Sequence, residues 1–302
     1  MTAPAVSVRG LTKRFGAQLA VDDLSFEVPA GRVVGFLGPN GAGKSTTMRM
    51  LVGLTAPDAG RAEILGTPFH DLADPARTVG SIVDGVEYHP GRRAIEELHI
   101  SAVTAGLPRA RCEEVLAQVG LEDAARKRVG QYSLGMKQRL GIAQALLGDP
   151  QVLLLDEPAN GLDPDGIRWV RSLLRELADE GRAILVSSHL LAEVARLADE
   201  VIVIRRGRIV TQGTVAELTA AASGGAVVVR SADDRQLRTA LTDAGGEVVD
   251  GPDGMRVAGL DTATVGEVAL RAGVALTELR TAVAELEDAF LELTHEDEEV
   301  LP

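Results

Sequence analysis

A chain of 302 residues with 45% apolar and 25% charged side chains, 13 Pro and 33 Gly has the composition of a folded globular protein long enough for two domains, which rules out fibrous and low-complexity readings. Its 31 Lys and Arg against 44 Asp and Glu give a net charge of −13, and with few aromatics this argues against nucleic acid or an anionic membrane surface as the main partner. The single cysteine, Cys112, cannot form an internal disulfide and suits a reducing compartment, while the start MTAPAVSVRG does not resemble a signal peptide and no apolar run approaches the roughly 20 residues that span a bilayer.

In chain order, Ala20 to Val28 alternates apolar and polar residues and predicts an antiparallel flank. Val33 to Leu37, Val152 to Leu155, Ala183 to Val186 and Val201 to Ile204 are short apolar runs that predict strands buried on both faces. Helical spacing of apolar residues occupies Ile95 to Thr104, Arg109 to Val119, Gly135 to Leu147 and Asp165 to Asp179. This alternation of strands and helices is that of a parallel α/β fold. The small residues of 220–225 read as a linker between a domain over 1–219 and a second over 226–294. Residues 1–223 hold 25 basic and 27 acidic side chains, residues 224–302 hold 6 and 17, so the acidity is C-terminal.

Beyond the linker the predicted order is strand 226–230, helix 233–244, strands 247–250 and 254–258, helix 263–272, strand 274–279 and helix 282–293. That suits a small α+β ferredoxin-like module with one extra helix and an acidic tail over 295–302. Thr264 with Glu267 fits a capping box, and Val283, Leu286, Phe290 and Leu293 form one apolar stripe on the last helix.

The chemistry begins at Gly38-Pro39-Asn40-Gly41-Ala42-Gly43-Lys44-Ser45-Thr46, between a predicted strand and a helical run. Glycines there let the backbone wrap close enough for its N–H groups to meet phosphate oxygens, with Lys44 reaching the β/γ phosphates and Ser45 positioned for Mg²⁺. Asp156 and Glu157 end a buried strand, where the ligand crevice of a parallel sheet lies; Asp156 reads as a Mg²⁺ partner and Glu157 as the group that polarises the attacking water. Ser133 and Gly135 lead a further helix, a second anion site that one nucleotide does not need from the same subunit.

With Tyr132-Ser133-Leu134-Gly135-Met136 in place, the chain resembles the ATP-binding subunits of ABC transporters over residues 5–215. The family signature Leu-Ser-Gly-Gly-Gln is matched at Ser133 and Gly135 and departed from at Leu134 and Met136, a departure similar to that of bacterial drug and antibiotic exporters. The resemblance implies a P-loop NTPase cassette with a mostly parallel central sheet, an antiparallel β flank and a helical subdomain at about 90–147. It also implies that Ser133 and Gly135 touch the ATP of an opposite subunit, that Phe15 stands against adenine, that Asn160 to Asp163 contacts the partner subunit and that His189 contacts the γ-phosphate. For Phe15 core packing stays open, and for Asn160 to Asp163 a capping turn does.

Where the family carries a Gln that reaches Mg²⁺, this chain has Asp84, an expected metal ligand alongside Ser45 and Asp156. Glu87 to Glu97 would face the membrane partner, with Arg92 and Arg93 alternatively a solvated turn. The expected function is an ATPase powered by ATP and Mg²⁺, pairing as a homodimer and driving a separate integral-membrane permease from the cytoplasmic face, for export of a drug, antibiotic or lipid-like substrate. A soluble ATPase acting on ribosome or DNA is the alternative, disfavoured by the single cassette, the acidic end and the lack of zinc or coiled-coil insertions.

Overall fold

The computed structural model describes residues 3–85, 87–189, 194, 196–222, 226–251 and 254–281. They form two compact units that divide between Gly213 and Thr214.

The first unit opens with β1 (Val6–Phe15) and β2 (Gln18–Val28), antiparallel and 10 and 11 residues long. Val21, Leu24, Phe26 and Val28 are buried along β2, and a bulge beside Asp23 (φ 54°) resets the alternation between Val21 and Leu24. Next come β3 (Val33–Leu37), α1 (Lys44–Leu51), β4 (Ala59–Ile64), α2 (Pro75–Thr78) and β5 (Val79–Ile82). Helices α3 (Ala94–Thr104), α4 (Ala110–Gln118) and α5 (Leu134–Ala145) follow, then β6 (Val152–Asp156), α6 (Pro164–Asp179), β7 (Ala183–Ser188), β8 (Glu200–Arg205) and β9 (Arg208–Thr214). The strands and helices predicted for this unit all form, with no end displaced by more than two residues.

Six strands in the order β5-β6-β7-β3-β8-β9 make the central sheet, parallel from β5 through β8, and β2-β1-β4 make the flank. Every residue of β3, β6 and β7 is buried, which is why these strands read as unbroken apolar runs. One core, including Leu98, Leu116, Leu140, Leu153 and Leu174, joins this sheet to α3, α4, α5 and α6. A second, including Leu11, Phe26, Phe36, Met48 and Leu185, joins it to the flank and α1. Cys112 is fully buried in the first, and burial pushes its thiol pKa up. Arg139 of α5 stacks its guanidinium 4.3 Å from the Trp169 ring centroid on α6, tying two helices of that layer.

The second unit starts with α7 (Val215–Ala222), so Ala220 to Ala222 end a helix rather than belong to an irregular linker; alanine is the best helix former, and its run extends the helix. Residues 223–225 of the expected linker lie outside the described residues. Then follow β10 (Val227–Ser231), α8 (Asp234–Asp243), β11 (Glu247–Gly251), β12 (Gly254–Ala258), α9 (Thr262–Arg271) and β13 (Leu276–Thr281). The antiparallel sheet runs β11-β12-β10-β13, and Val227, Val229, Leu237, Leu241, Val257 and Val265 form its core with the two helices.

The capping box expected at Thr264 and Glu267 is not the cap of α9. Asp261 is, its carboxylate accepting from the Thr264 N–H at 2.7 Å, while Glu267 pairs with Arg271 at 2.9 Å. Aspartate is the stronger N-cap and starts the helix at Thr262, leaving Thr264 inside the first turn. The helix expected over 282–293, with its stripe, and the tail lie outside the described residues.

Candidate functional site

Adjacent parallel strands β6, β7 and β3 set the site. Their register pairs Leu37 with Ser188 and Asp156 with Ser187, so all three end on one edge of the sheet, where ligands bind in parallel α/β folds. The loop from Gly38 to Gly43 follows β3, Glu157 follows β6 and His189 follows β7.

Two glycines shape the loop. A Cβ at Gly38 would lie 2.4 Å from the Ile204 carbonyl oxygen, and at Gly43, with φ 110°, 2.5 Å from that of Ala20. The chain therefore turns tightly into α1, whose first residues Lys44, Ser45 and Thr46 line a cleft with Phe15, Asn40 and Glu157. Pro39 and Ala42 close the turn between them, the Ala42 N–H donating to the Pro39 carbonyl at 3.1 Å. Lys44 is buried and folds back, its Nζ donating to the Gly38 carbonyl at 2.6 Å and lying 3.6 Å from Glu157 Oε1. Phe15 is 48% exposed at the cleft, so it is not a core residue.

Glu157 is held from several sides. Its φ of 52° is left-handed, a strain of about 1–2 kcal/mol for a non-glycine residue, and turns its side chain out of the strand end. The Glu157 N–H donates to Ser187 Oγ at 3.0 Å, and that hydroxyl in turn donates to Asp156 Oδ1. Gln138 of α5 donates to the Glu157 carbonyl at 3.4 Å, and His189 Nδ1 lies 2.8 Å from Glu157 Oε2. These contacts set the Glu157 carboxylate between Lys44 and His189. Ser187 was not among the expected residues; its only sequence trace is the Ser-Ser pair that precedes His189.

Asp84 leaves β5 at φ 65°, and both of its carboxylate oxygens accept from Arg49 Nε, at 2.8 and 2.7 Å. Position 84 is therefore paired with α1 rather than turned alone toward the cleft. The hydrogen bond and charge of Asp84 raise the Arg49 pKa, with a smaller pull from Asp156. Ser45 and Asp156 supply hard oxygen donors, and among the described residues no three His, Cys, Asp or Glu side chains form a metal cage. Such a donor set fits Mg²⁺, which keeps few protein ligands and shares substrate phosphates.

Ser133 caps α5, its Oγ accepting from the Met136 N–H at 3.2 Å. Ser133, Leu134 and Gly135 line a second cleft with Gly161, Leu162 and Asp163. Leu134 seals against Gly161: a Cβ there, at φ 75°, would be 2.2 Å from Leu134 Cδ2. Asp163 caps α6 by accepting from the Gly166 N–H at 2.7 Å, so this turn does have a capping role. The structure brings Lys44, Glu157, Asp156 and His189 together, and it leaves Ser133 and Gly135 in a cleft that shares no residue with the one lined by Lys44 and Glu157.

In the stretch from Glu87 to Glu97, Arg92 pairs with Glu97 at 3.4 Å and the Glu96 carboxylate accepts from the Arg93 N–H at 2.9 Å, so the two arginines belong to the folded start of α3.

A family profile described as ABC transporter matches residues 21–160, and one described as a domain of unknown function (DUF8746) matches residues 225–287. The bacitracin transport ATP-binding protein of Bacillus licheniformis is 45% identical over 68% of this chain and 69% of its own length. The daunorubicin resistance ATP-binding protein of Streptomyces coeruleorubidus is 36% identical over 99% of both chains, so that likeness includes the second unit. A solved structure described as the ATP-binding subunit of an ABC transporter is 31% identical, with a TM-score of 0.65, over 72% of this chain and 92% of its own. With the phosphate loop, the carboxylates and the histidine on one sheet edge, these likenesses place the chain in the ABC transporter ATP-binding family, in the branch of drug and antibiotic exporters, as an ATP-hydrolysing subunit.

Proposed function

We propose that two copies of this chain pair head to tail around two ATP molecules, on the cytoplasmic face of the cell membrane and peripheral to a separate integral-membrane permease. The observation that carries this reading is the separation of two phosphate-suited helix starts, at Lys44 and at Ser133, into two clefts of one subunit. Each ATP would lie between residues 38–46 of one copy and Ser133 and Gly135 of the other. Among the described residues no helix is long and apolar enough to cross a membrane; the proposed permease would supply the spanning helices and meet the stretch from Glu87 to Glu97. The cargo of this reading is a drug, antibiotic or lipid-like molecule moving outward, and the names of the bacitracin transport and daunorubicin resistance relatives favour the drug or antibiotic.

In this mechanism Phe15 stacks on adenine, and the backbone from Gly38 to Thr46 with Lys44 holds the phosphates. Triphosphate oxygens are stronger acceptors than the loop carbonyls, so Lys44 leaves Gly38 and Glu157 for the nucleotide, and His189 turns to the γ-phosphate. Glu157 is then free to orient water and accept its proton, in line with the phosphorus. Ser45 and Asp156 would hold Mg²⁺, which supplies charge neutralisation on the β and γ phosphates when bound. Hydrolysis removes the attraction that joins the copies, and the permease relaxes to its other access state.

The test is affinity capture from native membranes with ATP and Mg²⁺, comparing Glu157→Gln with Lys44→Ala. The expected result is recovery of a multi-spanning protein and a paired subunit with Glu157→Gln and neither with Lys44→Ala. Reproducible capture of only ribosomal or DNA-associated proteins would overturn the transport reading.

A further inference from the structure

We infer that Arg49 is a positioning residue of the nucleotide site, whose task is to cancel the negative charge that Asp84 adds beside Asp156. The inference rests on the proposal that Ser45 and Asp156 hold the nucleotide's cation.

β5 runs parallel beside β6 with Ile82 opposite Leu155, so Asp84 emerges next to the strand end that carries Asp156 and Glu157. Three carboxylates thus stand at one corner of a site built for a polyanion. Glu157 has Lys44 at 3.6 Å and His189 at 2.8 Å, and Asp156 is hydrogen-bonded by Ser187. Asp84 has Arg49, which belongs to the same helix as Lys44 and Ser45, with both carboxylate oxygens within 2.8 Å of Nε. α1 packs against β6, and the Arg49 guanidinium feels the Asp156 charge as well as that of Asp84. When nucleotide draws Lys44 to its phosphates, that cation stops compensating Glu157, and Arg49 continues to screen the neighbouring carboxylates from the incoming charge.

Charge cancellation and a mere strut between α1 and the loop at Asp84 make opposite predictions. A strut is broken equally by losing either partner; cancellation makes loss of the cation harmful only while the anion is present. Asparagine suits position 84 because it tolerates the left-handed backbone there.

The experiment is equilibrium binding of a fluorescent N-methylanthraniloyl ATP with Mg²⁺ to the full chain, at low and high salt, with folding checked by melting temperature. Arg49→Gln is expected to raise Kd about fivefold, the scale of a half-exposed charge pair, and to lose most of that deficit at high salt. Asp84→Asn should bind within about twofold of the parent, and the double variant should return to the Asp84→Asn value. Arg49→Lys, which keeps the charge and the stem, should bind like the parent, and Arg49→Met replaces Arg49→Gln in both the single and the double variant if the glutamine variant does not fold. A double variant as weak as Arg49→Gln, wild-type affinity in Arg49→Gln, or lost affinity in a folded Arg49→Lys would overturn the inference. Lys44→Ala serves as the separate control: if it binds the probe normally, the reading of the phosphate site itself fails.

Discussion

Ser187 has no exposed atom to offer a nucleotide, yet one hydroxyl fixes two acidic residues of the site, accepting from the Glu157 backbone N–H and donating to the Asp156 carboxylate. Ser187→Ala removes both bonds at once and leaves the buried Asp156 oxygen without its donor. Turnover is expected to fall about 10- to 100-fold while probe binding stays near that of the parent, as for other residues that orient a ligand from behind; steady-state ATPase assays beside binding titrations check this. Lys44, Asp156 and Glu157 were legible in the sequence because each sits at a fixed offset from a strand end, and the backbone there permits few other chemistries. Ser187 and Arg49 were not, because their roles come from strands and helices that meet only in the fold: Ser187 lies 31 positions from Asp156, and Arg49 lies 35 from Asp84.

Among elements, the start of β3 is fastened at the edge opposite the nucleotide. Asp199 accepts from the Val33 N–H at 2.8 Å and from Arg175 of α6 at 3.1 Å, with Arg32 at 3.3 Å. Burial alone would push this carboxyl pKa up, but the hydrogen bonds from Val33 and Arg175 and the two guanidinium charges bring it below its ordinary 3.8. A depressed acid stabilises the fold fully above its unfolded value and loses that contribution as pH falls through the folded one. Asp199→Asn is therefore expected to cost about 1.5–3 kcal/mol at pH 7, with the gap to the parent closing below about pH 4, as read from denaturant melts at several pH values. Strands β3, β6 and β7 were legible because burial on both faces leaves an unbroken apolar run. The start of α9 was misread because two competent capping groups stand three residues apart, and Asp261 prevails over Thr264.

Among the described residues each unit has its own core, that of the second lying within Val227 to Leu276. A chain ending at Gly213 is therefore expected to fold and to bind the fluorescent nucleotide within about threefold of the full chain, by circular dichroism and titration. If the acidic second unit regulates the cycle, turnover or pairing changes in that truncated chain; if both stay as they were, it does not. The sequence marked where charge and composition shift, near residue 223, whereas the compact units divide about ten residues earlier, because helix-forming alanines carry α7 past the composition change. Cys112 offers a practical consequence. The chain's one thiol is sealed in the core of α4 and kept protonated by that burial, so maleimide and disulfide reagents meet no native target on the folded molecule. A cysteine introduced beside each cleft would then report the approach of two subunits by cross-linking or spin-label distance, in a chain that needs no prior removal of its own cysteine.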